Sequence, residues 1–257
     1  MTDHIRVTEE AGVKVIRFNR ADKKNAITQA MYSALADGIA DAETGDCAAI
    51  VFLGQPGIFS AGNDIMDFMS KGMTGDLIHS PTMRFLRALA TSKKPMIAGV
   101  DGAAVGVGTT MLMHCDMVFA SERSTFKTPF LNLGLVPEAG SSLIAPRMMG
   151  PQRAFEMLVL GETFTAERAH GAGLVNHLVA EEALEKATMD AAFKLAALPP
   201  EALALSRGLM RGDEAEILAR IDAEAVLFGE RLKSREAQEA FMAFMEKRPP
   251  NFRKAGA

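Results

Sequence analysis

Tryptophan is absent from this chain, tyrosine occurs once and cysteine twice. Two cysteines, Cys47 and Cys115, build no disulfide framework and read as free thiols in a reducing cytoplasm, so the expected compartment is cytoplasmic. No uninterrupted apolar stretch is long enough to cross a bilayer. There is no charge block, and a net charge of −4 leaves no basic footprint for nucleic acid or an anionic membrane. His79 and His114 stand without partners at metal-ligand spacing, so no metal is expected, nor any redox nucleotide or prosthetic group. Met1-Thr2-Asp3-His4 begins acidic with no apolar run behind it, which reads against a signal peptide. Ala255-Gly256-Ala257 does not match a peroxisomal Ser-Lys-Leu tail.

What is present is an ordinary globular composition, 48% apolar and 23% charged. A chain of 257 residues makes one large domain or two small ones and has a full core available. Ile5 to Thr8 and Val13 to Phe18 alternate apolar and polar residues about Glu10-Ala11-Gly12, which predicts a hairpin. Thr28 predicts the cap of a helix whose buried stripe holds Met31, Leu35 and Ile39. Short apolar runs at Ala48 to Leu53, Met96 to Val100 and Asp116 to Ala120 predict buried strands. Ser80-Pro81 predicts a helix start, serine as cap and proline at the first helical position. Strands alternating with helices favour an α/β fold with buried parallel strands. From Pro151 the pattern turns helical: Pro151 to Leu160, Glu181 to Leu198, Asp213 to Leu232 and Ser234 to Met245, with a short strand near Leu174 to Val179. A composition shift near residue 195 reads as a helical appendage whose Met, Phe and Leu need a partner, either the core or another subunit.

Three segments carry chemistry. Phe59-Ser60-Ala61-Gly62-Asn63-Asp64-Ile65 and Val100-Asp101-Gly102-Ala103-Ala104-Val105-Gly106-Val107-Gly108 are glycine-bearing loops in strand context. The stretch from Phe126 to Ser142 holds a single carboxylate, Glu138, after Pro137. On these residues the chain resembles the crotonase superfamily, the enoyl-CoA hydratase/isomerase family, over nearly its whole length. The resemblance implies a spiral of ββα units over residues 1–195 and a C-terminal helical trimerisation region over 196–257. It also implies a homotrimer or dimer of trimers, and an acyl-CoA substrate in β-oxidation. Where family hydratases place two glutamates, this chain has Thr110 and Phe130, neither able to act as an acid or base near neutral pH. Pro137-Glu138-Ala139-Gly140 is similar instead to the peroxisomal-type 3,2-trans-enoyl-CoA isomerases, in which one glutamate after the proline is the base.

The carry-over names Glu138 as catalytic base and the N–H groups of Ala61 and Val107 as an oxyanion hole. Ser60, Ala61, Gly62, Asn63, Asp64, Ile65, Gly106 and Phe130 become substrate-binding residues. One carboxylate suffices to shift a double bond, because the proton it removes from C2 is the one it returns at C4. Adding water needs a second group. Backbone N–H groups suit the dienolate oxygen, since glycine-rich turns admit close approach.

The plainer readings stand beside these. Glu138 is also placed as a helix-start carboxylate, and Asp64 reads first as a helix cap. Lys23 and Lys24 sit in the loop that lines the CoA nucleotide in the family, with Lys24 as the expected contact; a solvated loop explains them equally. Lys247 and Arg248 resemble a C-terminal basic element that reaches a ligand. Met66, Phe68, Met69, Met73 and Met83 fit an acyl tunnel or plain core. A hydratase, a thioester hydrolase and a non-catalytic acyl-CoA binder remain the alternatives to an isomerase.

Overall fold

The computed structural model describes residues 2–67 and 77–255. Strands β1 (Ile5–Glu10) and β2 (Val13–Phe18) pair antiparallel. Their turn puts Ala11 at φ 46° and Gly12 at φ 77°, the left-handed pair that suits a two-residue hairpin. Beyond it, strands come in pairs: β3 (Ala49–Leu53) with β4 (Ile58–Ser60), β5 (Met96–Val100) with β6 (Ala103–Val105), and β7 (Met117–Ser121) with β8 (Thr125–Lys127). The first of each pair enters a six-stranded sheet, β1-β2-β3-β5-β7-β10, closed by β10 (His177–Val179). The second enters a four-stranded sheet, β4-β6-β8-β9, closed by β9 (Phe164–Thr165). Successive ββα units therefore wind as a spiral. From β2 to β10 the large sheet is parallel, and every residue of β3 and β5 is buried, as continuous apolar runs require.

The caps predicted from sequence form. Thr28 accepts the Met31 N–H at the start of α1 (Gln29–Thr44), which buries Met31, Leu35 and Ile39 together with Tyr32. Ser80 accepts the Met83 N–H before α2 (Pro81–Thr91). No period pointed to the second sheet, whose strands are only two or three residues long; it supplies the second strand of the ββα units that the resemblance implied. Α short helix α3 (Val107–Thr110) follows β6, and α4 (Ser141–Met149) and α5 (Pro151–Phe155) lie beyond the Glu138 segment. The helix expected over Pro151 to Leu160 changes to π form at Glu156–Leu160.

After α6 (Ala166–Gly171), α7 (Leu184–Ala196) packs across β3, β5 and β7. Helix α8 (Pro200–Arg211) falls inside the helical region expected over 196–257 but was not among the individual helices read from the pattern; Pro200 occupies its first turn, where a proline's missing N–H costs nothing. Helix α9 (Glu214–Leu232) packs against α2 and α4, burying Ile217, Ile221, Ala225 and Phe228, and α10 (Arg235–Met245) follows it. So α9 finds its partner surface in its own core. Helix α8 leaves Leu205, Leu209 and Met210 exposed, the last two at 88%.

Candidate active site

The first loop is held from behind. Ser60 is fully buried; its Oγ donates to the Asn25 carbonyl at 2.9 Å and accepts the Gly62 N–H at 3.1 Å. The Asn25 side-chain amide donates to the Phe59 carbonyl at 3.0 Å. The Ala61 N–H donates to the Lys24 carbonyl at 2.9 Å, so it is committed within the loop. That corrects the expectation for Ala61: an N–H already bonded to a carbonyl is not free to receive an oxyanion. Two residues on, the Asn63 N–H has no acceptor among the described residues.

In the second loop Gly106 takes φ 56° and sends its own N–H to the Lys127 carbonyl at 2.8 Å. Val107 opens α3, and its N–H, one of the orphan donors of a helix start, likewise has no acceptor among the described residues. The loops touch at Gly62, where φ is +82° and a Cβ would lie 2.6 Å from the Val105 carbonyl oxygen. Glycine there lets the two free N–H groups share one wall.

That wall belongs to a cleft of about 630 Å³ lined by Ala61, Gly62, Asn63, Asp64, Ile65, Gly106, Val107 and Phe130, all expected from sequence. Ser60 and Lys24 are not among its lining residues, since Ser60 points into the loop and Lys24 contributes its carbonyl to Ala61. Lys23 lines it instead. Met66 also lines the cleft; Phe68, Met69 and Met73 lie outside the described residues. At the C-terminal side Phe244 and Arg248 reach the cleft, and Arg248 is held by Glu239 at 2.6 and 3.0 Å. Asp64 accepts the Asp67 N–H at 3.1 Å, the capping role expected for it, and pairs with Arg20 at 2.6 Å. Burial works against its charge, but Arg20 and the backbone N–H outweigh it and hold the carboxyl below its usual range.

Glu138 lies one step deeper, in a chamber of about 20 Å³, room for one water molecule. Its walls are Leu77, Met83, Leu86, Ile221, Ala225 and Phe228, with Asn63 and Thr82 as polar neighbours. Asn63 and Phe228 line both chamber and cleft. The Asn63 carboxamide is oriented by the chain's one tyrosine: Tyr32, fully buried, donates to Oδ1 at 2.5 Å. Burial pushes the Glu138 carboxyl up to about 7; the hydrogen bond donated by Thr110, 2.9 Å to Oε1, pulls it down, and the negative charge of Glu224 adds to the rise. Thr110 thus serves the carboxylate from a position where the family's hydratases carry an acid.

The turn after Glu138 is left-handed at two successive residues, Ala139 (φ 62°) and Gly140 (φ 71°). His114 holds it from one side, Nε2 donating to the Ala139 carbonyl at 2.7 Å. Burial brings His114 down to about 4, so the ring is neutral. Glu224 of α9 holds the other side, accepting the Gly140 N–H at 2.6 Å and the Ser142 N–H at 3.0 Å. Neither Glu224 nor Asn63 as a free donor was found from sequence. A signal for Glu224 existed: it is an acid on the apolar face formed by Ile217, Ile221, Ala225 and Phe228.

A family model described as enoyl-CoA hydratase/isomerase matches residues 8–255. Enoyl-CoA delta isomerase 2 of Rattus norvegicus is 37% identical over 95% of this chain and 64% of its own length. Enoyl-CoA delta isomerase 3, peroxisomal, of Mus musculus is 35% identical over 98% of this chain and 80% of its own. The chain thus spans under two thirds of the rat relative. The crystal structure of an enoyl-CoA hydratase/isomerase from Pseudoalteromonas atlantica T6c superposes with a TM-score of 0.92 at 36% identity, covering 97% of this chain and all of that one.

Proposed function

The chain belongs to the enoyl-CoA hydratase/isomerase family, and we propose that within it the protein is an isomerase that moves a 3-enoyl-CoA double bond to the trans-2 position. The observation that carries this reading is Glu138, the one carboxylate among the described residues lining the apolar chamber, with a pKa lifted to about 7 by burial. A base of that strength is ionised enough at neutral pH to take a proton and acidic enough to return it.

The steps balance on one residue. The Glu138 carboxylate takes a proton from C2 of the thioester. Electrons shift toward the thioester oxygen, giving a dienolate, and the neutral carboxylic acid returns the same proton to C4. The double bond moves without gain or loss of atoms. The dienolate oxygen sits at the N–H groups of Asn63 and Val107, the pair left unbonded where the loops meet. Removing such a donor typically costs about 2.7–4 kcal/mol in barrier. Phe130, 5% exposed on the cleft wall, brings no second acid, which argues against hydration. The acyl chain passes Asn63 and Phe228 to reach Glu138, while Lys23 and Arg248 supply positive charge at the cleft for the CoA phosphates. The exposed apolar face of α8 supports assembly as a homotrimer or dimer of trimers.

The test is incubation with trans-3-hexenoyl-CoA in heavy water, read by mass and by absorbance of the conjugated thioester. Conversion to 2-enoyl-CoA with no added water mass, lost in Glu138→Gln, is expected. Accumulation of 3-hydroxyacyl-CoA or free CoA as main product would sink the reading.

A further inference from the structure

The turn that carries Glu138 closes with one hydrogen bond of its own, from the Ser141 N–H to the Glu138 carbonyl at 3.1 Å, and leaves its other donors to a distant partner. Ala139 and Gly140 are both left-handed, a conformation that disfavours alanine. Helix α4 begins immediately after, and Gly140 as its cap brings no side-chain oxygen for the first N–H groups. The Ser141 N–H is met by the Glu138 carbonyl, but the Gly140 N–H, buried, and the Ser142 N–H, partly buried, need another acceptor. The acceptor comes from more than 80 residues along the chain: Glu224 takes the Gly140 N–H at 2.6 Å, the Ser142 N–H at 3.0 Å and the Ser142 hydroxyl at 2.5 Å.

Glu224 is itself 5% exposed, and no ion pair to it occurs among the described residues. A buried carboxylate with no direct ion pair, only the field of Arg220 one turn before it, is a poor fastener for a helix whose apolar residues already pack. It is a good one for a turn whose N–H groups and helix dipole call for negative charge. Three neighbours on the same face of α9, Ile221, Ala225 and Phe228, line the Glu138 chamber. One helix face therefore supplies both the chamber wall and the anchor of the turn.

We propose that Glu224 is the positioning residue of the Glu138 base, a carboxylate delivered by the C-terminal helical region to set the geometry and electrostatics of the turn. The inference rests on Glu138 being the base. The titratable or charged groups around the turn are Glu138, Tyr32 of α1, His114 behind Ala139, and Glu224 and Arg220 of α9; Arg220 donates to the Ser142 hydroxyl at 3.2 Å. Glu224 places a like charge near Glu138, so neutralising it moves the titration of Glu138 to lower pH.

The experiment compares wild type, Glu224→Gln and Glu224→Asp. Glu138 is titrated by carboxyl-labelled NMR, assigned by difference with Glu138→Gln, and turnover of trans-3-hexenoyl-CoA is measured in parallel. In Glu224→Gln the Glu138 titration is expected to move down, and kcat to fall roughly ten- to a hundredfold with KM little changed, the signature of a misplaced base. Glu224→Asp keeps the charge but shortens the reach, so its titration stays near wild type while kcat falls. A folded Glu224→Gln with wild-type titration and kcat overturns the proposal. If that variant does not fold, wild-type kcat in Glu224→Asp overturns it. Should wild type leave the hexenoyl ester unchanged, the isomerase reading falls, and the NMR titration alone still decides whether Glu224 governs Glu138.

Discussion

At the scale of single residues, the site depends on one carboxylate kept near neutrality. Only its ionised form is a base, so kcat/KM on a 3-enoyl-CoA should rise with pH through about 7 and then level off. Thr110 donates to the ionised form and lowers that midpoint. Thr110→Val removes the donor, so the rise should move to higher pH, with rates converging on wild type in alkaline solution; a pH–rate profile checks this. Stability runs the other way. Folded Glu138 holds its proton up to about pH 7, against 4.5 for an ordinary glutamate, so the folded state binds more protons between those values. Its contribution is complete below 4.5 and is lost as pH rises through 7. Glu138→Gln removes the ionisation, and it should exceed wild type in stability by about 3 kcal/mol at pH 8, the gap closing in acid. Denaturant melts at several pH values measure it.

At the scale of elements, the site is made where short strands end. Strands β4 and β6 deliver the two loops side by side, and Gly62 is the point where they touch. Gly62→Ala introduces both a left-handed alanine and a Cβ 2.6 Å from the Val105 carbonyl oxygen. A loss of about 2 kcal/mol and a large drop in kcat should follow, because the free N–H groups separate. Thermal unfolding together with steady-state kinetics tests this; wild-type kcat would show that loop contact does not set the anion site. Sequence pointed to both loops, which do line the cleft, but in the first it named Ala61, whose N–H is bonded to the Lys24 carbonyl, and not Asn63, whose N–H has no acceptor among the described residues. Ala61 and Asn63 are two residues apart on one loop, and only the hydrogen bond from Ala61 to Lys24, distant in sequence, tells them apart.

At the scale of the whole molecule, the C-terminal helices are divided between two tasks. Helix α9 closes the Glu138 chamber and anchors its turn; α10 and the residues after it bring Phe244 and Arg248 to the cleft. Helix α8 does neither and presents Leu205, Leu209 and Met210 outward. Burying that face between copies is favourable at roughly 25 cal/mol per Å². Wild type should therefore sediment as a trimer or hexamer, and Leu209→Glu with Met210→Glu should shift it toward smaller species; a monomeric wild type would remove α8 as the assembly face.

By itself the sequence determined the hairpin, the buried strands, the caps at Thr28 and Ser80, the two glycine-bearing loops and the lone acid at Glu138. Each is a local pattern, set by period, capping chemistry or the conformational demands of glycine. Tertiary structure alone decided which N–H groups stay free, that Lys23 rather than Lys24 meets the cleft, and that Tyr32 orients Asn63. It also decided that the turn carrying Glu138 is completed by Glu224. These are questions of which donor meets which acceptor across the fold. A one-dimensional pattern holds the donors and acceptors but not their pairing.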